Sequence, residues 1–228
     1  MIELVVLDMA GTTVDEDNVV YKTVRAAINA SGYSFSQQEV QEAGAGKEKS
    51  QAIRDVLALD GKTHPESEIA EIFGDFKNRL KAAYESLDVK EQPGATRVFK
   101  AMRESGIRVV LNTGYDRKTA EGLVAKIGWR VGEHIDGLVT ASDVTNGRPA
   151  PDMIQLAMDQ VGVTLGSQVA KIGDSEIDIE EGKNAGCGLT FGITTGAQTQ
   201  EQLESAEPTH VVHSLDEMFE TIQQSNTK

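Results

Sequence analysis

The chain has 228 residues, with 22 Lys+Arg against 36 Asp+Glu and a formal net charge of −14. This acidic excess excludes a protein whose affinity comes from basic contacts to nucleic-acid phosphates, and no apolar run approaches the ~18 residues of a spanning helix. A single cysteine, Cys187, leaves no intrachain disulfide framework and no cysteine zinc site; with no basic leader or cleavage motif ahead of the first apolar run, the expected location is cytoplasmic.

In chain order, residues 2–7 form a short apolar run ending at Asp8, the pattern of a strand buried on both faces. From Asn18 to about Leu87 only helical periodicity follows. It predicts helices over 19–30, 36–42, 50–59 and 67–84, with Ser36 and His64-Pro65 as start signals. The stretch reads as an all-helical domain over 17–90 inserted after the first strand, with turn chemistry at Glu91-Gln92-Pro93-Gly94 as its hinge. Residues 1–16 and 91–228 are left for the core domain. The insert carries 10 basic and 12 acidic residues, so the remainder holds 12 against 24 and with them most of the net charge. An exposed apolar stripe on the first inserted helix, Val20, Val24 and Ile28, serves either as core or as a dimer contact.

Beyond the hinge, strands are predicted at 107–111, 169–172, 189–193 and 209–213. Helices are predicted at 94–105, 116–127, 151–161 and 176–184, and a polar tail at 223–228. This alternation describes an α/β core built as a doubly wound, mostly parallel sheet. Ligands bind such sheets at the carboxyl ends of the strands, where Asp8, Thr113 and Asp174 fall.

Asp8 precedes the small, turn-forming Ala10-Gly11-Thr12-Thr13, which predicts an exposed carboxylate backed by free backbone N–H groups. Such a group can attack phosphorus or hold a cation; an isolated aspartate there would be a turn or cap residue. Asp174 follows Gly173 at a second strand end, and Asp178 lies one helical turn further on. As a pair they could be a cap and a first-turn acid serving the helix dipole. Acids at two neighbouring strand ends, however, suit a magnesium site of one or two carboxylates, backbone oxygen, waters and a substrate phosphate. Thr113, in Asn112-Thr113-Gly114-Tyr115, offers a hydroxyl and adjacent N–H groups to a phosphoryl oxygen. Arg148, in the proline loop Gly147-Arg148-Pro149-Ala150-Pro151, has bidentate reach for the same group; alone, each is equally a turn or surface residue. Trp129 and Cys187 read as packing residues, and His210 and His213 receive no role.

Taken together, Asp8-Met9-Ala10-Gly11-Thr12-Thr13-Val14-Asp15, Asn112-Thr113-Gly114, Arg148 and Gly173-Asp174-Ser175-Glu176-Ile177-Asp178 resemble, in order, the four motifs of the haloacid dehalogenase-like superfamily. The resemblance covers essentially the whole chain, including the helical insertion as a cap over a Rossmann-like core. Two departures point to the phosphonatase branch, the phosphonoacetaldehyde hydrolases. The general acid usual two residues after the nucleophile is Ala10 here, and the usual lysine is Arg148. Breaking a P–O bond benefits from protonation of the leaving oxygen, which Ala10 cannot supply. Breaking a P–C bond needs an electron sink for carbon, and a lysine imine with a neighbouring carbonyl is one.

What the resemblance implies is as follows. Asp8 is the nucleophile, Lys49 of Gly46-Lys47-Glu48-Lys49 the imine-forming lysine (Lys47 in the alternative register), and Thr113 and Arg148 bind the phosphoryl group. Gly46, Thr12, Gly114 and Tyr115 contact substrate. Mg²⁺ is held by Asp8, the Ala10 carbonyl and Asp174, with Asp178 behind them, and the protein is a homodimer through its cap. The substrate is a small phosphonate or phosphate. The chain departs from the branch at Ala52, where a histidine stands three residues after the lysine, at Ala45 in place of a methionine, and at Asn18 in place of a cysteine. The rival readings are a phosphomonoesterase, a phosphate-binding protein without turnover, and a metal-free dehalogenase.

Overall fold

A computed structural model describes residues 1–45, 47 and 49–227. The chain divides into two compact units, Met1–Asp15 with Val89–Lys228, and Glu16–Asp88.

The first unit is built on a sheet whose strand order is β5-β4-β1-β6-β7-β8, every pairing parallel among the described residues. Its strands are β1 (Leu4–Asp8), β4 (Arg108–Thr113), β5 (Gly137–Thr140), β6 (Val169–Gly173), β7 (Leu189–Ile193) and β8 (His210–Val212). Two-residue strands β2 (Val14–Asp15) and β3 (Lys90–Glu91) pair antiparallel where the chain leaves this unit and returns. Helices α5 (Ala95–Glu104), α6 (Arg117–Ile127), α7 (Asp152–Val161), α8 (Glu176–Asn184), α9 (Gln200–Ser205) and α10 (Leu215–Asn226) complete it. Central β1 is wholly buried, as a parallel strand covered on both faces must be. Its even residues Leu4 and Val6 pack with Val110 and Val139 against Met153, Ile154 and Ala157 of α7. On α5, Phe99 packs against Trp129 with ring centres 5.0 Å apart and planes inclined at 57°, and the Trp129 indole donates to Thr96 Oγ1 at 2.8 Å, a packing role for that residue. Cys187 sits half-buried at the edge of the core, where burial pushes its thiol up to about 12, far from a nucleophile's range.

The second unit is helical: α1 (Val19–Ala30), α2 (Gln37–Gly44), α3 (Lys49–Leu57) and α4 (Glu66–Ser86). Ser36 opens α2 with a reciprocal capping box to Glu39. Helix α1 packs on α4 and α2, and α3 packs on α2 and α4. The stripe Val20, Val24 and Ile28, expected to be exposed, is buried within the chain. It is core, because its 3.6-residue spacing turns it toward these neighbours.

Three other expectations change. The apparent tail is mostly helix, since α10 runs to Asn226 and its Leu215, Met218 and Ile222 are buried. Asp8 is 5% exposed rather than open to solvent, because β1 carries it to the last paired position beside Asn112. Strand β5 was not expected at all: four residues, Gly-Leu-Val-Thr, are too few to register as a period.

Candidate active site

The strand order reverses on either side of β1, so the carboxyl ends of β4, β1 and β6 form the crevice of an open α/β sheet. β1 delivers Asp8, β4 delivers Thr113, and the turn after β6 delivers Asp174. Ser175 begins α8, and its hydroxyl donates to Asp178 Oδ2 at 2.6 Å. Ligand atoms of Asp8, Asp174 and Asp178 lie within 4.8 Å of one another, all three residues buried.

Arg148 is aimed into this cluster. One guanidinium nitrogen lies 2.7 Å from Asp8 Oδ1 and 2.9 Å from Asp178 Oδ1, while its Nε lies 3.1 Å from Glu181 Oε2. A second nitrogen donates to the Asn112 backbone and side-chain oxygens at 3.0 and 2.8 Å. Behind it stands Lys171, a completely buried lysine on β6, whose Nζ contacts Asn112 Oδ1 at 2.7 Å, Asp178 Oδ1 at 3.0 Å and Glu181 Oε2 at 3.3 Å. The Asn112 amide donates to both Glu181 oxygens at 3.0 Å. Gly182 makes this possible: a Cβ there would sit 2.9 Å from Lys171 Cβ, so only glycine lets α8 lie against the lysine stem.

Lys171, Glu181 and the part played by Asn112 were missed from sequence. A signal existed. A lysine inside the apolar run 169–172 is out of place unless paired, and Glu181 lies three residues after Asp178, on the same helical face.

Electrostatics separates the three aspartates. Burial raises Asp8, against the pull of Arg148. Burial and the like charges of Asp8 and Asp178 push Asp174 well above the usual carboxylate range. Burial acts upward on Asp178 too, but Arg148 and Lys171 outweigh it and hold this residue low. Among the described residues the cluster sets four acids, Asp8, Asp174, Asp178 and Glu181, against the two cations Arg148 and Lys171, so that with all four ionised it lacks two positive charges, the imbalance that, together with burial, raises Asp174. Asp174 Oδ2 accepts from Ala197 N at 2.6 Å and fills a cradle between two glycines. A Cβ on Gly11 would fall 2.3 Å from that oxygen, and one on Gly196 1.9 Å from it. Hard oxygen donors, a charge deficit of two and a carboxylate held in a tight cradle fit a divalent cation of the magnesium type.

The remaining expected residues are distributed as follows. Thr12 is fully buried with its hydroxyl unpartnered, a group a bound ligand would satisfy. Thr113 is buried and its Oγ1 accepts from Tyr115 N at 3.2 Å. Gly114 is exposed and Tyr115 half-buried. Ala10 is half-buried and bridges to Val14 in the tight turn after β1. Gly46 lies outside the described residues. In the helical unit, Lys49 Nζ donates to the Lys47 carbonyl at 2.7 Å and to the Tyr21 hydroxyl at 3.1 Å, and stands 4.7 Å from the Tyr21 ring centre. Lys47 is paired with Asp55 at 2.6 Å. Ala52, where the phosphonatase branch has a histidine, is fully buried, and a Cβ on Gly44 would meet its methyl at 3.1 Å, so the α2–α3 packing leaves little room for a larger side chain.

Comparison with known proteins agrees with this architecture. The haloacid dehalogenase-like hydrolase family matches residues 2–186. A phosphonoacetaldehyde hydrolase of Bacillus cereus is 30% identical over an alignment covering 94% of this chain and 86% of that protein. A phosphonoacetaldehyde hydrolase-like protein from Oleispira antarctica superposes with a TM-score of 0.83 at 25% identity, covering 99% of this chain and 93% of that one. A protein assigned as a phosphoglycolate phosphatase, from Lactobacillus delbrueckii subsp. bulgaricus, superposes with a TM-score of 0.82 at 19% identity, covering 96% and 98%. The chain belongs to the haloacid dehalogenase-like hydrolases.

Proposed function

We propose that this hydrolase cleaves the carbon–phosphorus bond of phosphonoacetaldehyde or a related 2-oxoalkylphosphonate. The observation that carries this reading is Ala10, a methyl two residues beyond the buried Asp8, where hydrolysis of an ester would call for a proton donor. The similarity to phosphonoacetaldehyde hydrolases supports the same conclusion.

In the proposed mechanism an Asp8 oxygen attacks phosphorus and becomes an aspartyl phosphate, which water then hydrolyses. Arg148, 2.7 Å from Asp8, and Thr113 steady the phosphoryl oxygens, with Thr12, Gly114 and Tyr115 beside them. Asp8, the Ala10 carbonyl and Asp174 would hold Mg²⁺, with Asp178 behind, and the cation supplies charge neutralisation to the transferring group. The helical unit acts as the cap and contributes Lys49, whose amine forms an imine with the substrate carbonyl. Electrons released as the P–C bond breaks then flow into that imine and yield an enamine. Lys49 suits this better than Lys47: its amine rests on two neutral oxygens, whereas using Lys47 would break the ion pair to Asp55. The homodimer through the cap belongs to the same reading.

The test is phosphate release from phosphonoacetaldehyde and from phosphoglycolate, with Mg²⁺, by wild-type protein and Lys49→Arg. Release from the phosphonate that falls by about 10³-fold or more in Lys49→Arg is expected, on the scale of losing a catalytic nucleophile. Turnover of the ester, unaffected by Lys49→Arg, would instead establish a phosphomonoesterase.

A further inference from the structure

We propose that Tyr21 is a further catalytic residue, the acid–base group that moves protons between Lys49 and the substrate carbonyl as the imine forms. The inference rests on the imine reading above and adds to it a residue that the motifs do not contain.

Tyr21 lies in the first turn of α1, is 8% exposed, and brings its hydroxyl to 3.1 Å from Lys49 Nζ. The centre of its ring lies 4.7 Å from the same nitrogen. The other group in contact with Nζ among the described residues is the Lys47 carbonyl, which can accept a hydrogen bond but never give a proton up. Ala52, one helical turn after Lys49, is a buried methyl. Of the groups that touch the reacting nitrogen among the described residues, the tyrosine hydroxyl is therefore the one able both to donate and to accept.

Imine formation needs both. As the Nζ lone pair bonds to the carbonyl carbon, the C=O π electrons move to oxygen. One Nζ proton must then reach that oxygen, and Tyr21 can relay it by accepting one proton and giving one. In the second step Tyr21 gives its own proton to the carbinolamine hydroxyl. The C–O bond breaks, water leaves, and the nitrogen–carbon double bond forms. The products are a protonated imine on Lys49, a tyrosinate and water, so atoms and charge balance. Hydrolysis of the imine at the end of turnover returns the proton. General acid–base catalysis of this kind contributes roughly 10²–10⁴-fold.

Tyr21→Phe removes the oxygen and keeps the ring over Lys49. Wild-type and variant proteins, matched for fold by circular dichroism and melting temperature, would be mixed with phosphonoacetaldehyde and quenched with borohydride at timed intervals, and the reduced adduct read by intact mass. The proposal predicts adduct formation slower by about 10²-fold or more in the variant, with the rate partly restored by rising concentrations of imidazole as an external acid. An adduct forming in Tyr21→Phe within about threefold of the wild-type rate would overturn the role of Tyr21 alone. A slow variant that imidazole does not accelerate would also overturn it, since the hydroxyl would then only hold Lys49 in position. No adduct in the wild-type protein would overturn the imine reading itself and this proposal with it.

Discussion

The most consequential single residue outside the family motifs is Lys171. A lysine with no solvent exposure survives only where carboxylates and hydrogen bonds repay its desolvation, and here Asp178, Glu181 and Asn112 do so at 3.0, 3.3 and 2.7 Å. Lys171→Met would leave two buried carboxylates with Arg148 as their remaining cation, and removing one partner from a buried ion cluster costs about 3–5 kcal/mol. Urea unfolding should show a loss of that size. Adding Glu181→Gln should recover part of it, because the two sites share a network and their effects are non-additive. A loss under about 1 kcal/mol for Lys171→Met would mean that the cluster relaxes freely and does not fix Arg148.

At the scale of elements, the helical unit carries a titrating brace between the start of α4 and the segments around it. His64 Nε2 lies 3.0 Å from Asp60 Oδ1, its Nδ1 lies 3.3 Å from Glu68 Oε2, and the Tyr33 hydroxyl donates to Glu68 at 2.6 Å. Hydrogen bonding to Asp60, opposed by desolvation and aided by Glu68, raises the His64 pKa. A group raised in the folded state contributes stability that is complete below its unfolded pKa, near 6.5, and is lost as pH climbs through the higher folded value. The melting temperature should therefore fall as pH is raised from about 6 through that window, and His64→Gln should remove this pH dependence. An unchanged slope in the variant would show that the brace does not titrate as described.

Which elements were legible in the sequence follows from their lengths and surroundings. The run 189–193 and the helical periods 19–30 and 176–184 coincide with β7, α1 and α8, because each is long enough or apolar enough to show its period. The two-residue pair β2–β3 and the short β5 are held by their neighbours in the fold rather than by any pattern of their own. In the site, the strand-end aspartates could be read because a charge that ends an apolar run is conspicuous. In the layer behind them the sequence marks Lys171 and Glu181 only one by one, as a lysine inside an apolar run and an acid on the Asp178 face; that they meet Asn112 shows only in three dimensions, where β4, β6 and α8 converge. Tyr21 was hidden for a related reason: it comes from α1 and meets Lys49, at the start of α3, only across the helical unit.

At the scale of the whole molecule, fold alone does not choose the reaction. Phosphonoacetaldehyde hydrolase-like and phosphatase-assigned neighbours superpose equally well, with TM-scores of 0.83 and 0.82, as expected when chemistry is set by a few side chains on a shared scaffold. In the proposed reading the distinction rests on a missing acid at Ala10 and the amine of Lys49, which belong to different units of the chain. The proposed reaction takes Asp8 from one unit and Lys49 from the other. No helix among the described residues is long and apolar enough to cross a membrane. The measurement that tests this most directly is peptide mapping of the protein after borohydride reduction in the presence of phosphonoacetaldehyde and Mg²⁺. The account predicts one reduced adduct, on Lys49, absent from Lys49→Arg. An adduct on Lys47, or none at all while phosphate is still released, would contradict it.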